Sequence, residues 1–284
     1  MNQRSRIAVL MIPPALLLLF FFVLPMLVMG SFSFRAGSFG AERQIWTLDN
    51  YRDFLASTSF QRLLLKSILV ALRTSLYCVV LAYPAAYYLV FRAGAKRSTL
   101  LTLILAPAWT SFLLRILSWK MILSSEGLLS SLLLSLGLIE EGRPILLYSM
   151  NAVIVALIYS WLPFVALPIF AALQRIDKSL LEAAADLGCP PWKAFLRVTL
   201  PLSLPGVAAG FFFIFIPTLG EWVTPALVGG VDGVMYGNII QSQFVSALNW
   251  PMGSLMSLVM LLLMLIILGA LSRFAYLLPL EEAK

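Results

Sequence analysis

An all-α integral membrane protein with six transmembrane helices is the fold class this sequence predicts, and three observations predict it. Hydrophobic residues make up 61% of the 284 and charged residues 12%, a balance that a water-soluble domain cannot bury. The apolar residues gather into six runs, near 8–30, 67–91, 99–122, 146–172, 203–228 and 252–277. Each is close to the roughly 20 residues that cross a hydrocarbon layer about 30 Å thick. The basic residues are also unequally shared between the two sides that six spans define.

Taken in order, the first run follows Arg4 and Arg6 as a signal peptide would, but its apolar part is too long and no small-residue cleavage site follows it. It reads as an uncleaved first span. The second run carries Tyr83, Tyr87 and Tyr88 at helical spacing, a packing face in which Tyr83 is also a candidate for lining a solute path. In the third, "WTSFLLRILSWK" places Arg115 and Lys120 beside Trp109 and Trp119, where they snorkel to the interface or hold an outer gate. Pro84, Pro107, Pro163, Pro217 and Gly220 mark places where a helix kinks or stops. With these spans drawn, eleven of the 20 Lys and Arg fall on the side of the two termini and seven on the other. The termini are therefore expected in the cytoplasm.

Several function classes are excluded. No His is present, which removes the commonest general base and metal ligand, and Cys78 and Cys189 are too few for a metal site or a disulfide framework. Neither a metal centre nor a catalytic residue is expected. An intramembrane hydrolase lacks a nucleophile with a partnered base. No G-x-x-x-x-G-K-[ST] loop occurs, so the chain cannot hydrolyse ATP by itself. The net charge of +7 follows topology, and no basic and aromatic platform suggests nucleic acid. A secondary transporter would also break its helices, but only half the usual number of spans is present.

The segment 174–202, between the fourth and fifth runs, is far longer than a helical connection needs. Asp177 is placed to cap a short helix through Leu180, Glu182 and Ala185, and Gly188 to end it in a left-handed turn. Pro190 and Pro191 then start a second helix with Trp192, Phe195 and Leu196 on its apolar face, and Pro201 and Pro205 are expected to end it before the fifth span. Ala183, Ala184 and Ala185 permit close approach by a partner surface. Lys178, Glu182 and Asp186 form one charged stripe, on which the two acids repel unless something basic meets them.

"EAAADLG", nine residues, then "VTLP" resembles the cytoplasmic EAA signature of ATP-binding-cassette importer permeases, with Val198 where that family usually has Ile. The resemblance reaches the polyamine branch through "TLDNY" at 47–51, "GEWVTPALVGG" at 220–230, "GNIIQSQF" at 237–244 and "NWP" at 249–251. It implies the type I importer permease fold, a single permease domain over 1–284, and a subunit that couples ATP hydrolysis elsewhere to alternating access. Its implied partners are two ATPase subunits that use ATP and Mg, a second related permease making a heterodimer, an extracytoplasmic binding protein and the bacterial inner membrane. This chain itself would bind no cofactor. Glu182, Ala183, Ala184, Asp186 and Gly188 would meet the ATPase. The alternative cargo is another small solute, amino-acid-like or a phosphonate.

An acidic residue in a span marks function by default, and Glu221 is the clearest case. With Trp222 beside it, it suits an alkylammonium cargo through charge pairing and cation–π attraction. A salt bridge with Arg73 or Arg115 is the other reading. Glu221, Trp222, Tyr83 and Arg115 are thus the candidates for the solute path. Arg115 and Lys120 are positive and count against a cationic cargo.

Overall fold

The computed structural model describes residues 3–37, 43–138 and 146–277. Arg143 and Lys284, which enter the count of basic residues above, lie outside them. In chain order the helices are α1 (Gln3–Leu18), α2 (Leu24–Phe32), α3 (Asp49–Ala56), α4 (Thr58–Phe91), α5 (Arg97–Leu105), α6 (Phe112–Ile122), α7 (Leu128–Ser135), α8 (Met150–Gln174), α9 (Lys178–Asp186), α10 (Pro191–Ala194), α11 (Leu200–Leu219), α12 (Tyr236–Val245) and α13 (Trp250–Leu277). A two-stranded antiparallel ribbon, β1 (Arg35–Ala36) with β2 (Arg43–Trp46), follows α2. Among the described residues five helical stretches are long and apolar enough to cross a membrane, or six if the bent pair α5 and α6 counts as one span.

Three features depart from the sequence expectation, and each has a proline or glycine cause. The run 99–122 is not one helix: it bends by 90° between a 3-10 turn at Ala106–Trp109 and the start of α6. Pro107 removes a backbone donor there, and Thr110 and Ser111 are extended. The fifth run ends at Leu219 instead of continuing to 228, because Gly220 closes α11 and a separate short helical segment occupies 223–229. Pro201 and Pro205 do not end the docking helix. The chain stays helical from Pro191 to Leu219, 29 residues, through a π turn at Phe195–Thr199.

That π turn explains how the proline is tolerated. Leu200 N–H bonds the Phe195 carbonyl five residues back, a wider turn that makes room for the Pro201 ring where an α turn would clash. The same device appears in the first span, where a π turn at Leu19–Val23 precedes Pro25 and Leu24 N–H bonds the Leu19 carbonyl.

The chain divides into two compact units, one of residues 1–61 with 239–274 and one of 62–238 with 275–284. In the first, the stretch Leu10–Phe32 buries none of its residues. Its C-terminal end is tied down by "TLDNY": the Asn50 amide donates to the Ser33 carbonyl at 3.0 Å and the Arg35 carbonyl at 2.9 Å, and the Tyr51 hydroxyl meets Ser33 Oγ at 2.8 Å. Phe34 packs between Trp46 and Tyr51. In "NWP", Asn249 Oδ1 accepts from Met252 N–H at 3.2 Å, capping α13 with Pro251 in its first turn.

The second unit is organised by α8 and α11, which cross at very short range. A Cβ on Gly206 would lie 2.3 Å from Ala172 Cβ and 2.6 Å from the Pro168 carbonyl oxygen, and one on Gly210 3.2 Å from Val165. Gly206 and Gly210 are spaced as the small-residue pairs that let membrane helices touch backbone to backbone. Around this crossing lie two apolar clusters. One joins Cys78, Ala82, Ala86 and Leu89 of α4 to Val165, Ile169, Leu173 and Ile214; the other joins Val70 and Ile116 to Val153, Leu157 and Val228.

Gly206→Ala is therefore expected to destabilise the protein by about 1–3 kcal/mol, the ordinary cost of overpacking. Gly30→Ala, whose Cβ would meet only Leu258 Cδ1 at 4.0 Å, should change little. Thermal midpoints in detergent check this; equal midpoints for the two variants would remove the close crossing as a determinant of stability.

Candidate functional site

The 174–202 loop carries a short helix, α9, that is closed at both ends and exposed. Asp177 caps α9 by accepting from Ser179 N–H at 3.0 Å. That backbone hydrogen bond holds the Asp177 carboxyl below its usual range, so the cap is in place at neutral pH and is lost only as the pH falls through the lowered value. At the other end Gly188 adopts φ +74, Cys189 N–H returns to the Ala184 carbonyl and Gly188 N–H to the Ala185 carbonyl, both at 2.9 Å. This double closure is the left-handed glycine stop expected from the sequence. Pro190 caps α10 and Pro191 opens it.

No side chain of α9 is buried, Leu187 is 87% exposed, and Leu180, Trp192 and Leu196 also face outward. Glu182, Ala183 and Asp186 are exposed and Ala184 is half-buried. An apolar, alanine-rich helix carrying unpaired acids on its surface is stable in water only as a connector or as half of an interface. Among the described residues the only ion pair is Arg52 with Asp49, so neither Glu182 nor Asp186 is neutralised by Lys178.

The joint behind the loop is aromatic. Phe195, at the start of the π turn, lies edge-on to Tyr83 and Tyr87 of α4, each with ring centroids 5.8 Å away, and Tyr83 Oη meets Ser203 Oγ of α11 at 2.9 Å.

A second constellation forms around Glu221. Its carboxylate accepts Val223 N–H at 2.8 Å and Thr224 N–H at 3.1 Å, so it caps the short helical segment 223–229. The Asn238 amide donates to the Trp222 carbonyl at 2.8 Å while its own oxygen accepts Met235 N–H at 3.0 Å. A Cβ on Gly237 would come within 2.7 Å of the Gly220 carbonyl oxygen and 2.8 Å of that of Glu221. Tyr236 N–H bonds Ser67 Oγ of α4 at 2.8 Å. "GEWV" and "GN", 17 residues apart in sequence, are thereby clasped into one break in the helical structure. The far end of the segment is held at Gly230, φ +59, where a Cβ would lie 2.7 Å from Tyr148 Cβ.

Arg115 has other partners. It is 8% exposed, gives Nη1 to the Ser160 carbonyl at 2.9 Å, buries an Nε that has no partner, and lines a cavity of about 350 Å³ with Ser118, Trp119 and Tyr159. Arg73 is exposed.

Residues 4–278 match the family described as the binding-protein-dependent transport system inner membrane component. The chain belongs to this permease family. It is 36% identical over 248 residues to the spermidine/putrescine transport system permease protein PotB of Escherichia coli (strain K12), covering 87% of this chain and 90% of that one. Against PotB of Haemophilus influenzae it is 34% identical over 253 residues, 88% of this chain and 87% of the relative. Among solved structures, a bacterial ABC transporter involved in importing the acidic polysaccharide alginate superposes with a TM-score of 0.76 at 17% identity, over 97% of this chain and 96% of that one. The shared fold is that of a type I ABC importer permease.

The four solute-path candidates of this permease do not converge. Glu221 and Trp222 are adjacent, with Trp222 45% exposed. Tyr83 touches α11 at Ser203, 16 residues before Leu219, hence about 24 Å of helix away. The salt bridge between Glu221 and Arg73 or Arg115 is absent among the described residues, because the backbone donors of 223–224 take its place. The sequence reading missed the roles of Asn238, Gly237 and Ser67, and placed Phe195 only on an apolar helix face. Asn238 and Gly237 stood inside a quoted motif, but nothing in a linear pattern says that the motif folds back onto Glu221.

Glu221→Gln keeps an oxygen acceptor for the two N–H groups, while Glu221→Ala leaves them in a half-buried site without one. The Ala variant should lose about 1 kcal/mol or more, the usual cost of a lost helix cap, and Gln much less. Detergent melting curves that coincide for both variants and the parent chain would show that the cap carries no stability.

Proposed function

We propose that this permease is the membrane-spanning subunit of an ATP-driven importer of polyamines, putrescine and spermidine, in the bacterial cytoplasmic membrane. Its two termini lie in the cytoplasm, where the 174–202 loop docks on one of the transporter's two ATPase subunits. A second permease completes the channel and an extracytoplasmic binding protein delivers the cargo. The chain hydrolyses nothing and binds no cofactor; ATP and Mg belong to the ATPase subunits. The observation that carries the reading is the exposed, glycine-stopped α9 in a chain that is 36% identical to PotB over nearly all of its length.

The geometry supports a simple form of coupling. Because the helix runs unbroken from Pro191 to Leu219, closure of the ATPases against α9 and α10 pulls directly on the fifth span, and the tight α8 crossing at Gly206 and Gly210 carries α8 with it. At the far end of α11 the chain opens into the Glu221 break. There a carboxylate fixed by two N–H groups and an exposed indole meet the ammonium groups of the cargo as access alternates. The first span, apolar and unburied throughout, is covered by lipid or by the second permease.

One observation favours a second cargo. The guanidinium of Arg115, which lines a cavity of about 350 Å³, would hold a phosphonate or carboxylate better than a diamine.

Gly188→Val tests the docking loop, since a β-branched residue resists φ +74 although open space surrounds the site. Co-purification of the ATPase subunits should fall several-fold with the melting temperature held; normal ATPase binding and transport would remove the loop from the mechanism. Cargo is tested by uptake of labelled putrescine into vesicles carrying the whole complex. Saturable uptake, reduced by Glu221→Gln and unaffected by excess 2-aminoethylphosphonate, is the expected result. Saturable uptake of labelled 2-aminoethylphosphonate with no putrescine uptake would transfer the assignment to the second cargo.

A further inference from the structure

We propose that Tyr83 and Tyr87 of α4 are positioning residues that brace the joint between the docking helix and α11, so that displacement of the docking loop is delivered to α4 as well as to α11. The inference rests on the docking reading above.

The joint needs a brace because of its backbone. At Phe195–Thr199 the helix makes a π turn, one residue wider than an α turn and less regularly bonded, so it is the most compliant part of the connection. Thr199 is buried and its hydroxyl has no partner. In an α turn that hydroxyl could bond the carbonyl four residues back, that of Phe195; in this wider turn it makes no such bond. A push applied at α9 and α10 would be spent in bending this turn unless something outside it held both ends.

Both ends are held. Phe195, the first residue of the turn, lies against Tyr83 and Tyr87 at 5.8 Å, with interplanar angles of 85° and 80°. These edge-to-face contacts are directional and worth more than the area they bury. Tyr83 and Tyr87 stand one helical turn apart, so the Phe195 ring is seated between two fixed points of α4. Beyond the turn, Tyr83 Oη is hydrogen-bonded to Ser203 Oγ, and Ser203 is fully buried. One side chain of α4 therefore grips the connection on each side of its weak point. Tyr87 also packs on Phe91 at 4.7 Å, which stiffens its end of the brace. With its hydroxyl on Ser203 and its ring on Phe195, Tyr83 is engaged in this joint instead of presenting either group to a solute.

The test uses the complete transporter, with ATPase subunits and binding protein, reconstituted in vesicles. The readout is labelled putrescine taken up per ATP hydrolysed, beside ATPase co-purification and the melting temperature. Phe195→Ala and Tyr87→Ala should each lower that ratio about fivefold or more, at the low end of ordinary coupling energies, while hydrolysis continues and the ATPase subunits remain bound. The double variant should be scarcely worse than either single one, because both break the same contact. Tyr87→Phe, which keeps the ring, should restore the ratio, and Tyr83→Phe, which removes only the tie to Ser203, should lower it about twofold. An unchanged ratio, or uptake and hydrolysis falling together in step with the melting temperature, would overturn the brace. The docking reading is checked separately by ATPase co-purification with the unsubstituted chain: its absence overturns both, and its presence with an unchanged ratio overturns the brace alone.

Discussion

Inside a bilayer each backbone N–H and C=O has to find its partner within the protein, since no water is present to supply one. This chain nevertheless places prolines and glycines throughout its apolar segments, and its architecture follows from how the freed groups are satisfied again. Before Pro25 and Pro201 the answer is a π turn that widens the helix and passes the hydrogen bond one residue further. At Gly220 the helix is given up, and a carboxylate, an asparagine and a serine take over the pairing: Glu221 for the donors at 223 and 224, Asn238 for Trp222 and Met235, Ser67 for Tyr236. Between Ala106 and Ser111 the break is sharp enough to turn the chain through 90°.

These repairs have functional consequences. A π turn keeps the helix continuous from the 174–202 loop into the fifth span, but it leaves a soft place in that helix. The aromatic contacts from α4 and the glycine crossing with α8 sit beside that soft place, where lateral support is most useful. The break at Glu221 does the opposite. It frees the chain from helical geometry just past the end of α11, where the Glu221 carboxylate is held by backbone donors, with no ion pair among the described residues.

Much of this was legible in the linear pattern. The Asp177 cap, the Gly188 stop and the Pro190–Pro191 start are local chemistry, in which the residue type at a position sets the backbone conformation, and they appear where the pattern places them. The reading of Pro201 and Pro205 as helix ends went wrong for a related reason. Proline forbids a regular α turn, but local sequence cannot say whether the chain stops or widens, because the choice depends on the neighbours that support the widened turn. The same limit applied to Glu221. A carboxylate in an apolar run requires a partner, and two arginines were the only candidates visible by charge; the backbone of its own next turn carries no mark in the sequence.

The sequence by itself determined the membrane class, the six apolar runs, and the 174–202 loop with its caps, because hydrophobic length and turn chemistry act over a few residues. Only the tertiary structure decided that the third run is bent, that the fifth continues the helix begun at Pro191 and stops at Leu219, that "GN" closes over "GEWV", and that Tyr83 packs on Phe195. Each of these depends on which helices approach one another and how closely, and that is set by small residues such as Gly206, Gly210 and Gly237, whose role exists only once a neighbouring backbone stands where a side chain would be.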